Sequence, residues 1–450
     1  MAVDARGDER EEGLIRADDG RSERIQAVND TIFALSSGSP PAAVAVVRIS
    51  GPRAGPALEA LAGKLPPPRT ATLSNLSWRG EPLDRALVLR FPGPHSATGE
   101  DVAELHLHGG RAVVAAVLEA LAGLDGLRPA EPGEFTRRAF ENGRIDLAEA
   151  EGLADLLEAE TQSQRRAALA MAGGALSRKV EAWRQKLLAL AASLEASLDF
   201  SDEGEVGEAW PPGWTGDLEA LAFEMQALLQ RPPAERLRDG LRVVIAGPPN
   251  SGKSSLINIL AEREAAIISA VPGTTRDVIE APTIIAGLPF LLTDTAGLRE
   301  SEDEIESIGV ERARARLVSA DLVLWLGDPA EAPERERTIL VQSKCDLPEP
   351  AREADIRVSA QSGHGIQALV DLMAHRARSL LPAEGETSAN ARHREAIGAA
   401  LGHLREARAS DMLIAAEALR QARLELDRIT GRAGVEDMLD MLFGRFCIGK

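Results

Sequence analysis

The residues with the clearest chemical potential form a glycine-rich segment near the middle of the chain. Gly247 to Ser254 reads G-P-P-N-S-G-K-S and fits the pattern G-x-x-x-x-G-K-[ST], between a predicted strand at 241–246 and a predicted helix at 253–262. Glycines let the backbone wrap around phosphate oxygens, whose charge is met by N–H groups at the helix N-terminus. Lys253 would reach the β- and γ-phosphates, and the Ser254 hydroxyl would bind Mg²⁺. The segment therefore predicts a nucleoside triphosphate site.

Two further segments at suitable distances support a Mg²⁺-dependent triphosphate site. Asp294-Thr295-Ala296-Gly297 follows a predicted strand at 289–293, where Asp294 can hold Mg²⁺ through water and the Gly297 amide can contact the γ-phosphate. Thr275, within Gly273-Thr-Thr-Arg-Asp277, would close over Mg²⁺ and the γ-phosphate. Each segment alone fits an ordinary turn, but their order after the phosphate loop favours nucleotide hydrolysis.

The base is predicted to be guanine. Ser343-Lys344-Cys345-Asp346 ends another predicted strand and takes the place of the N-K-x-D motif. A carboxylate such as Asp346 accepts hydrogen bonds from both N1–H and N2–H of guanine. Ser343 stands where asparagine is usual; its hydroxyl can bond to the neighbouring loop, but the two-sided bridge of an amide is lost. We therefore expect guanine preference with weakened affinity, and a second base-contacting loop at Ser359-Ala360-Gln361.

The segments together predict a set of nucleotide-binding residues that includes neighbours of those named above. It comprises Asn250, Ser251, Gly252, Lys253, Ser254, Ser255, Ser269, Gly273, Thr274, Thr275, Asp294, Thr295, Ala296, Gly297, Lys344, Asp346, Ser359, Ala360 and Gln361, with Ser254 and Thr275 as Mg²⁺ ligands.

Composition limits the class of protein. The chain has 450 residues, which predicts two or three domains, and its formal net charge of −19 argues against a general nucleic-acid coat protein without excluding a local basic surface. Only two cysteines occur, Cys345 and Cys447, so a disulfide framework is excluded and a reducing, cytoplasmic setting is expected. The charge-dense start lacks the apolar core of a secretory signal, and we expect residues 1–28 to form a disordered extension.

The elements that must position these residues fall into three zones of a multidomain α/β fold. Residues 29–128 read as an α+β domain, with strands at 43–49, 85–90 and 103–107 and a helix at 111–124. Residues 239–381 alternate strands and helices and predict a doubly wound P-loop domain, with further strands at 321–326 and 338–343. We expect this domain to be inserted into a helical domain formed by 129–238 and 382–450.

Within the helical domain the apolar period is clearest in one long helix. Val180, Trp183, Leu187, Leu190, Leu194 and Leu198 recur at three- and four-residue steps and predict one buried face. A loop is expected at 202–216, and a further helical segment at 391–428.

Three other segments carry a family resemblance. Pro132–Phe140 (P-G-E-F-T-R-R-A-F), Ile145–Glu151 (I-D-L-A-E-A-E) and the tail Phe446–Lys450 (F-C-I-G-K) resemble the MnmE, or TrmE, family of tRNA-modification GTPases. The resemblance runs from Asn29 to Lys450.

The resemblance implies a homodimer that joins a flavin-dependent MnmG-type protein and modifies carbon 5 of the wobble uridine in certain tRNAs. It also implies that 5-formyl-tetrahydrofolate or a related folate is held at Arg48, Glu104, Arg144 and Lys450, with Arg144 standing where lysine is common. Cys447 falls near the modification chemistry, with no assignable role. His106 and His108 alternate on one strand face, and we interpret them as structural histidines.

For hydrolysis, the resemblance implies K⁺ in place of an arginine finger. The ion would be held by the Asn250 side chain and by the loop 269–274, through Ser269, Val271 and Thr274, although a simple turn-forming role for Asn250 stays open. The catalytic glutamate that orients the attacking water would be Glu306, which otherwise reads as one acid in an exposed charged run.

Two alternative functions are weighed against this one. A ribosome-assembly GTPase should carry a basic RNA-binding domain after the G domain, whereas this chain has an acidic balance, an N-terminal α+β domain and a C-I-G-K tail. A folate-binding scaffold with a G domain degenerate at Ser343 would show no GTP turnover in either K⁺ or Na⁺.

Overall fold

The structure of the protein is a computed structural model that describes residues 30–201, 210–263, 280–294, 316–348, 353–383, 385–433 and 436–450. The chain divides into two compact units, Met1–Ala150 with Val435–Lys450, and Glu151–Gly434. The expected extension at 1–28 lies outside the described residues. Across those described ranges, no helix has the length and apolar character needed to cross a membrane.

The first unit is built on a six-stranded sheet with the order β3-β4-β5-β2-β1-β6. Its strands are β1 Thr31–Leu35, β2 Val44–Ser50, β3 Thr72–Trp78, β4 Glu81–Phe91, β5 Val102–His108 and β6 Leu127–Pro129. Helices α1 (Ala54–Ala62) and α2 (Arg111–Ala122) pack on one face and enclose the core. The predicted strands at 43–49, 85–90 and 103–107 and the helix at 111–124 are confirmed within one or two residues, except that β4 begins earlier.

Strand alternation sends chemistry-bearing residues to the other face of this sheet. Val47 and Leu105 point into the core and are fully buried, so Arg48 and Glu104 point to the opposite face. Helix α3 (Glu134–Glu141) covers part of that face, where Phe135 clusters with the buried side chains of β1.

The following helices are α4 Leu147–Glu158, α5 Gln162–Ala172, α6 Ala175–Ser201, α7 Trp214–Leu229 and α8 Glu235–Arg238. The long helix predicted from apolar spacing is α6, and Val180, Trp183, Leu187, Leu190 and Leu194 are buried along it. The loop predicted to reach Gly216 is wrong at its C-terminal end, because α7 begins at Trp214. The reason is that the Trp214 indole is buried and donates to the Leu190 carbonyl at 3.1 Å, which fixes the start of the helix.

The phosphate loop belongs to a second sheet with the order β12-β11-β10-β7-β9-β8. Its elements are β7 Leu241–Ala246, α9 Lys253–Arg263, β8 Glu280–Ile285, β9 Leu288–Asp294, β10 Leu322–Trp325, β11 Thr338–Gln342, β12 Ile356–Arg357 and α10 Ile366–Leu380. Every neighbouring pair is parallel except β8 with β9. Parallel pairing brings the carboxyl ends of β7, β9 and β11 to one edge of the sheet, where the predicted nucleotide segments follow.

The segment predicted to be helical at 391–428 forms two helices, α11 Ala391–Ala409 and α12 Met412–Thr430. The break falls at Ser410 and Asp411, and the Asp411 carboxylate caps α12 by accepting from the Ile414 N–H at 2.9 Å.

The last helix, α13 Glu436–Phe443, belongs to the first unit. The Phe443 and Phe140 ring centroids are 6.2 Å apart, and Ile448 forms a β-bridge with Pro132. The structure thus groups Val435–Lys450 with the N-terminal strands, although the sequence assigns them to the second helical half. The three-domain division itself stays a prediction.

A largely buried carboxylate, with 16% of its side chain exposed, joins the chain before the P-loop region to the chain after it. The carboxylate of Glu151 accepts from Arg392 Nε at 2.8 Å, His393 Nε2 at 2.8 Å and Asn390 Nδ2 at 3.0 Å. Burial raises the pKa of Glu151, but the hydrogen bonds and charges of His393 and Arg392 outweigh it and hold this pKa at about 2. Burial lowers the pKa of the fully enclosed His393 imidazole, whose Nε2 faces the Glu151 carboxylate.

The substitution Glu151→Gln should lower the free energy of unfolding by about 3 kcal/mol at pH 7, because it removes one partner of a buried charged cluster. The folded pKa of Glu151 is depressed, so its stabilisation is present above the unfolded value of about 4.3 and is lost as the pH falls towards about 2. Urea unfolding followed by helical circular dichroism should therefore show a flatter pH dependence in this window for the variant.

The matched control is Glu417→Gln. Glu417 pairs with Arg420 on a fully exposed helix surface, where solvent screens the pair. Its urea midpoint should stay close to that of the unaltered protein. Equal midpoints for all three proteins at pH 7 would contradict the role given to Glu151.

Candidate functional site

The phosphate loop has the backbone that its glycines predict. Gly247 and Gly252 have positive φ angles of 148° and 92°. A Cβ atom on Gly247 would lie 3.0 Å from the Leu326 carbonyl carbon, so a side chain there would be both strained and crowded. Asn250 also has a positive φ, of 60°, which asparagine tolerates better than most residues.

The two side chains expected to bind phosphate and Mg²⁺ lie at the start of α9. Lys253 is buried, and its Nζ donates to the carbonyl oxygens of Gly247 at 3.0 Å and Pro248 at 2.8 Å. Ser254 Oγ donates to Asp294 Oδ2 at 2.8 Å, which places a hydroxyl and a carboxylate side by side. Oxygen donors of this kind suit Mg²⁺, which completes its shell with phosphate oxygens and water. The residues therefore fit the ion.

The described residues contain no group of three or more His, Cys, Asp and Glu side chains that could bind a metal by themselves. A Mg²⁺ site made of one hydroxyl, one carboxylate and substrate phosphates is compatible with that finding.

The base-reading loop is tied directly to the phosphate loop. Ser343 Oγ donates to the Ser251 carbonyl at 2.5 Å, which is the bond to the neighbouring loop expected from the sequence. Lys344 Nζ donates to the Asn250 carbonyl at 2.7 Å. Two consecutive residues thus hold the base loop and the phosphate loop at a fixed distance.

The predicted guanine acceptor is connected to the second base loop. The buried Ser359 hydroxyl donates to Asp346, and this hydrogen bond lowers the pKa of the Asp346 carboxyl. The Cys345 N–H donates to the Val358 carbonyl at 3.1 Å. The connection that an asparagine at position 343 would make to both loops is therefore divided here between Ser343 and Asp346.

Several predicted residues lie outside the described residues, and their assignments stay predictions. They are Ser269, Val271, Gly273, Thr274, Thr275, Thr295, Ala296, Gly297 and Glu306.

In the first unit, the structure brings together two of the four predicted folate residues. Arg48 and Glu104 are directly opposite in the β2–β5 register, and Arg48 Nε and Nη2 donate to Glu104 Oε1 at 3.0 and 2.9 Å. The guanidinium carbon of Arg48 is 5.9 Å from the centroid of the Phe135 ring. A guanidinium at this distance from an aromatic face is attracted to it, so Phe135 helps to hold the charged pair.

The other two predicted folate residues, Arg144 and Lys450, lie next to backbone segments that pack closely against the rest of the unit. Arg144 lies beside Gly99, where an added Cβ would come within 3.2 Å of Arg144 Cγ. Lys450 follows Gly449, whose carbonyl accepts from Ser36 Oγ at 2.8 Å at the end of β1. Cys447 is exposed on the same tail.

Sequence reasoning missed a buried charged network beneath this sheet face. Arg138 is 7% exposed and pairs with Asp30 at 2.7 Å, Glu134 at 3.0 Å and Glu100 at 3.2 Å. Burial lowers the pKa of Arg138, but the three carboxylates raise it above its ordinary value. The Glu134–Arg138 spacing of four residues in a helix was the available signal. The network holds α3, and with it Phe135, against the strands.

The substitution Ser343→Asn should tighten binding of a fluorescent GDP analogue about fivefold, since one restored hydrogen bond contributes about 1 kcal/mol. The amide could donate to Ser251 and accept from the second base loop. The matched Ser343→Ala variant, which loses the bond to Ser251, should bind about fivefold more weakly. An asparagine variant with unchanged affinity, measured by fluorescence titration, would show that the divided connection is already as effective as the amide.

Comparisons with known proteins bear on the family to which the chain belongs. A family model described as the GTP-binding protein TrmE N-terminus matches residues 31–144, and one described as the MnmE helical domain matches residues 147–447. The tRNA modification GTPase MnmE of Erythrobacter litoralis is 57% identical, over 94% of this chain and 100% of its own length. The protein of the same name from Rhizorhabdus wittichii is 58% identical, over 94% of this chain and 97% of its own.

Among solved structures, the G domain of the T. maritima FeoB iron transporter is 25% identical, with coverage of 30% of this chain and 98% of that one. Its TM-score of 0.22 is too low to bear on function. The family models and the relatives do decide the question: this chain belongs to the MnmE family of tRNA modification GTPases, enzymes that hydrolyse GTP.

Proposed function

We propose that this protein is a K⁺-activated GTPase that works with a flavin-dependent MnmG-type partner to modify carbon 5 of the wobble uridine in certain tRNAs. The observation that supports the proposal is that Ser254 contacts Asp294, with Lys253 over the phosphate loop and Asp346 bonded to Ser359, in a chain similar to tRNA modification GTPases. The modification would be of the carboxymethylaminomethyl type. A homodimer in the cytoplasm is part of the same proposal.

For hydrolysis, the chain's own residues bind and orient the triphosphate. Lys253 would transfer its hydrogen bonds from the Gly247 and Pro248 carbonyls to the β- and γ-phosphates, since its Nζ is already held over the loop. Ser254 with Asp294, and Thr275, would hold Mg²⁺, and Glu306 would orient the attacking water. When bound, Mg²⁺ and K⁺ supply positive charge to the phosphates, which is the chief requirement of phosphoryl transfer.

For the modification, Arg48, Glu104, Arg144 and Lys450 would hold a folate as one-carbon carrier. The charged pair of Arg48 and Glu104 is only partly exposed, so a bound ligand would meet fixed rather than mobile groups. The C-terminal tail is tied through Gly449 to Ser36, which would bring Lys450 and Cys447 to the carboxyl end of β1. No chemical role is given to Cys447.

Loss of nucleotide binding should abolish the modification. In a strain lacking the gene, the unaltered chain should restore modified wobble uridine, measured by mass spectrometry of tRNA nucleosides, and Lys253→Ala should not. The control variant Lys64→Ala removes an exposed lysine of the first unit and should restore it fully. Failure of the unaltered chain to restore the nucleoside, together with ribosome association, would favour the ribosome-assembly alternative.

GTP turnover should be at least about tenfold faster in KCl than in NaCl, because a correctly sized cation at the phosphates lowers the barrier by more than about 1.4 kcal/mol. The substitution Asn250→Gly separates the two roles of this residue. Glycine keeps the positive φ of 60° but removes the carboxamide, so nucleotide should still bind while the K⁺ stimulation is lost. Persistent K⁺ stimulation in this variant would show that Asn250 is only a turn former.

A further inference from the structure

A histidine next to the folate pair contacts the same carboxylate from the other side. His106 Nε2 lies 3.3 Å from Glu104 Oε2, while both Arg48 nitrogens donate to Oε1. Glu104 and His106 are two residues apart on β5, so their side chains leave the same face of the sheet. The carboxylate is therefore held at each oxygen by a different partner.

This arrangement fixes the rotation of the carboxylate group. Arg48 approaches from β2, directly across the strand register, and His106 from along β5. Arg48 uses both acceptor positions of Oε1, whereas Oε2 has one further acceptor position beside His106. The Glu104 side chain is 17% exposed and that of His106 is 31% exposed, so the remaining capacity is open to a ligand.

The ligand that matches a fixed carboxylate is one with two adjacent N–H donors in a plane. The amino-pyrimidinone edge of a pterin has this pattern: one N–H group can meet the open position of Oε2, and the other can meet Oε1 in place of one of the two Arg48 N–H groups. A carboxylate that is free to rotate loses conformational entropy when it binds such an edge. A carboxylate held in place lost that entropy on folding, so ligand binding costs less free energy.

We propose that His106 is a positioning residue of the folate site: it donates Nε2–H to Glu104 Oε2 and sets the plane in which Glu104 accepts the pterin edge. The inference rests on the proposed folate site. It differs from a merely structural role for His106, which would change stability without changing ligand affinity.

The same strand offers an internal control. His108 leaves the same face of β5, but its Nδ1 bonds to Asp84 Oδ1 at 2.7 Å, and its side chain is 74% exposed. It shares residue type, strand and face with His106 and does not contact Glu104 in the structure. If substitutions of His106 and His108 weaken folate binding equally, the cause would therefore be a general disturbance of the sheet.

The test measures the dissociation constant of 5-formyl-tetrahydrofolate by isothermal titration calorimetry for the full chain and three variants. His106→Leu should weaken binding about tenfold, because the Glu104 carboxylate loses a hydrogen bond and its fixed orientation before the ligand binds. His106→Gln should bind within about twofold of the unaltered chain, because its amide can still donate to Glu104. His108→Leu should bind like the unaltered chain.

Thermal melts followed by circular dichroism report folding of each variant. If His106→Leu does not fold, His106→Asn replaces it, since its shorter amide stops short of Oε2 and should bind about tenfold more weakly. Binding within twofold for His106→Leu, or equal weakening by His106→Gln or His108→Leu, would overturn the positioning role alone. An unaltered chain that does not bind the folate would overturn the proposed folate site, and this inference with it.

Discussion

The alignment of parallel strand ends is the constraint on which the nucleotide site depends. β7, β9 and β11 run in the same direction, so the residues that follow each strand meet at one edge of the sheet. Ser254 and Asp294 are far apart in sequence yet 2.8 Å apart in space, because β7 and β9 are hydrogen-bonded neighbours. The same geometry lets Ser343, after β11, reach the Ser251 carbonyl. A shift in the register of these strands would separate Ser254 from Asp294 and Ser343 from Ser251.

A second constraint follows from inserting the P-loop region between helices. Two chain segments must enter and leave it close together, and the structure ties them by backbone and side-chain bonds. Ala234 N–H donates to the Ala389 carbonyl at 3.2 Å, and Glu235 Oε1 accepts from the Ala391 N–H at 2.5 Å. The next residue, Arg236, pairs with Asp321 at 2.8 Å, just before β10. The neighbouring side chains of Glu235 and Arg236 thus bind the first turn of α11 and the amino end of β10, respectively. A displacement of α11 would therefore be transmitted to β10.

How much the sequence could predict depended on whether a signal was local. The phosphate loop, the strand before it and the helix after it lie within one continuous segment, and their pattern was sufficient. Helix α6 was predictable from its apolar spacing alone. The start of α7 was missed because it depends on a hydrogen bond from Trp214 to Leu190 in another helix. The pairing of Glu151 with His393 has no signal in the sequence, since only the folded chain brings the two residues together.

The two histidines of β5 show most clearly what sequence pattern leaves undecided. His106 and His108 have the same spacing from their neighbours along the strand and the same facing, so alternation assigns them one role. What separates them is the cross-strand partner. The strand register places Arg48 opposite Glu104, so Arg48 and His106 contact the same carboxylate. His108 instead contacts the carboxylate of Asp84. Register is a property of paired strands, so the contact of His106 with a carboxylate that is also bound by the neighbouring strand becomes visible only when the sheet is assembled.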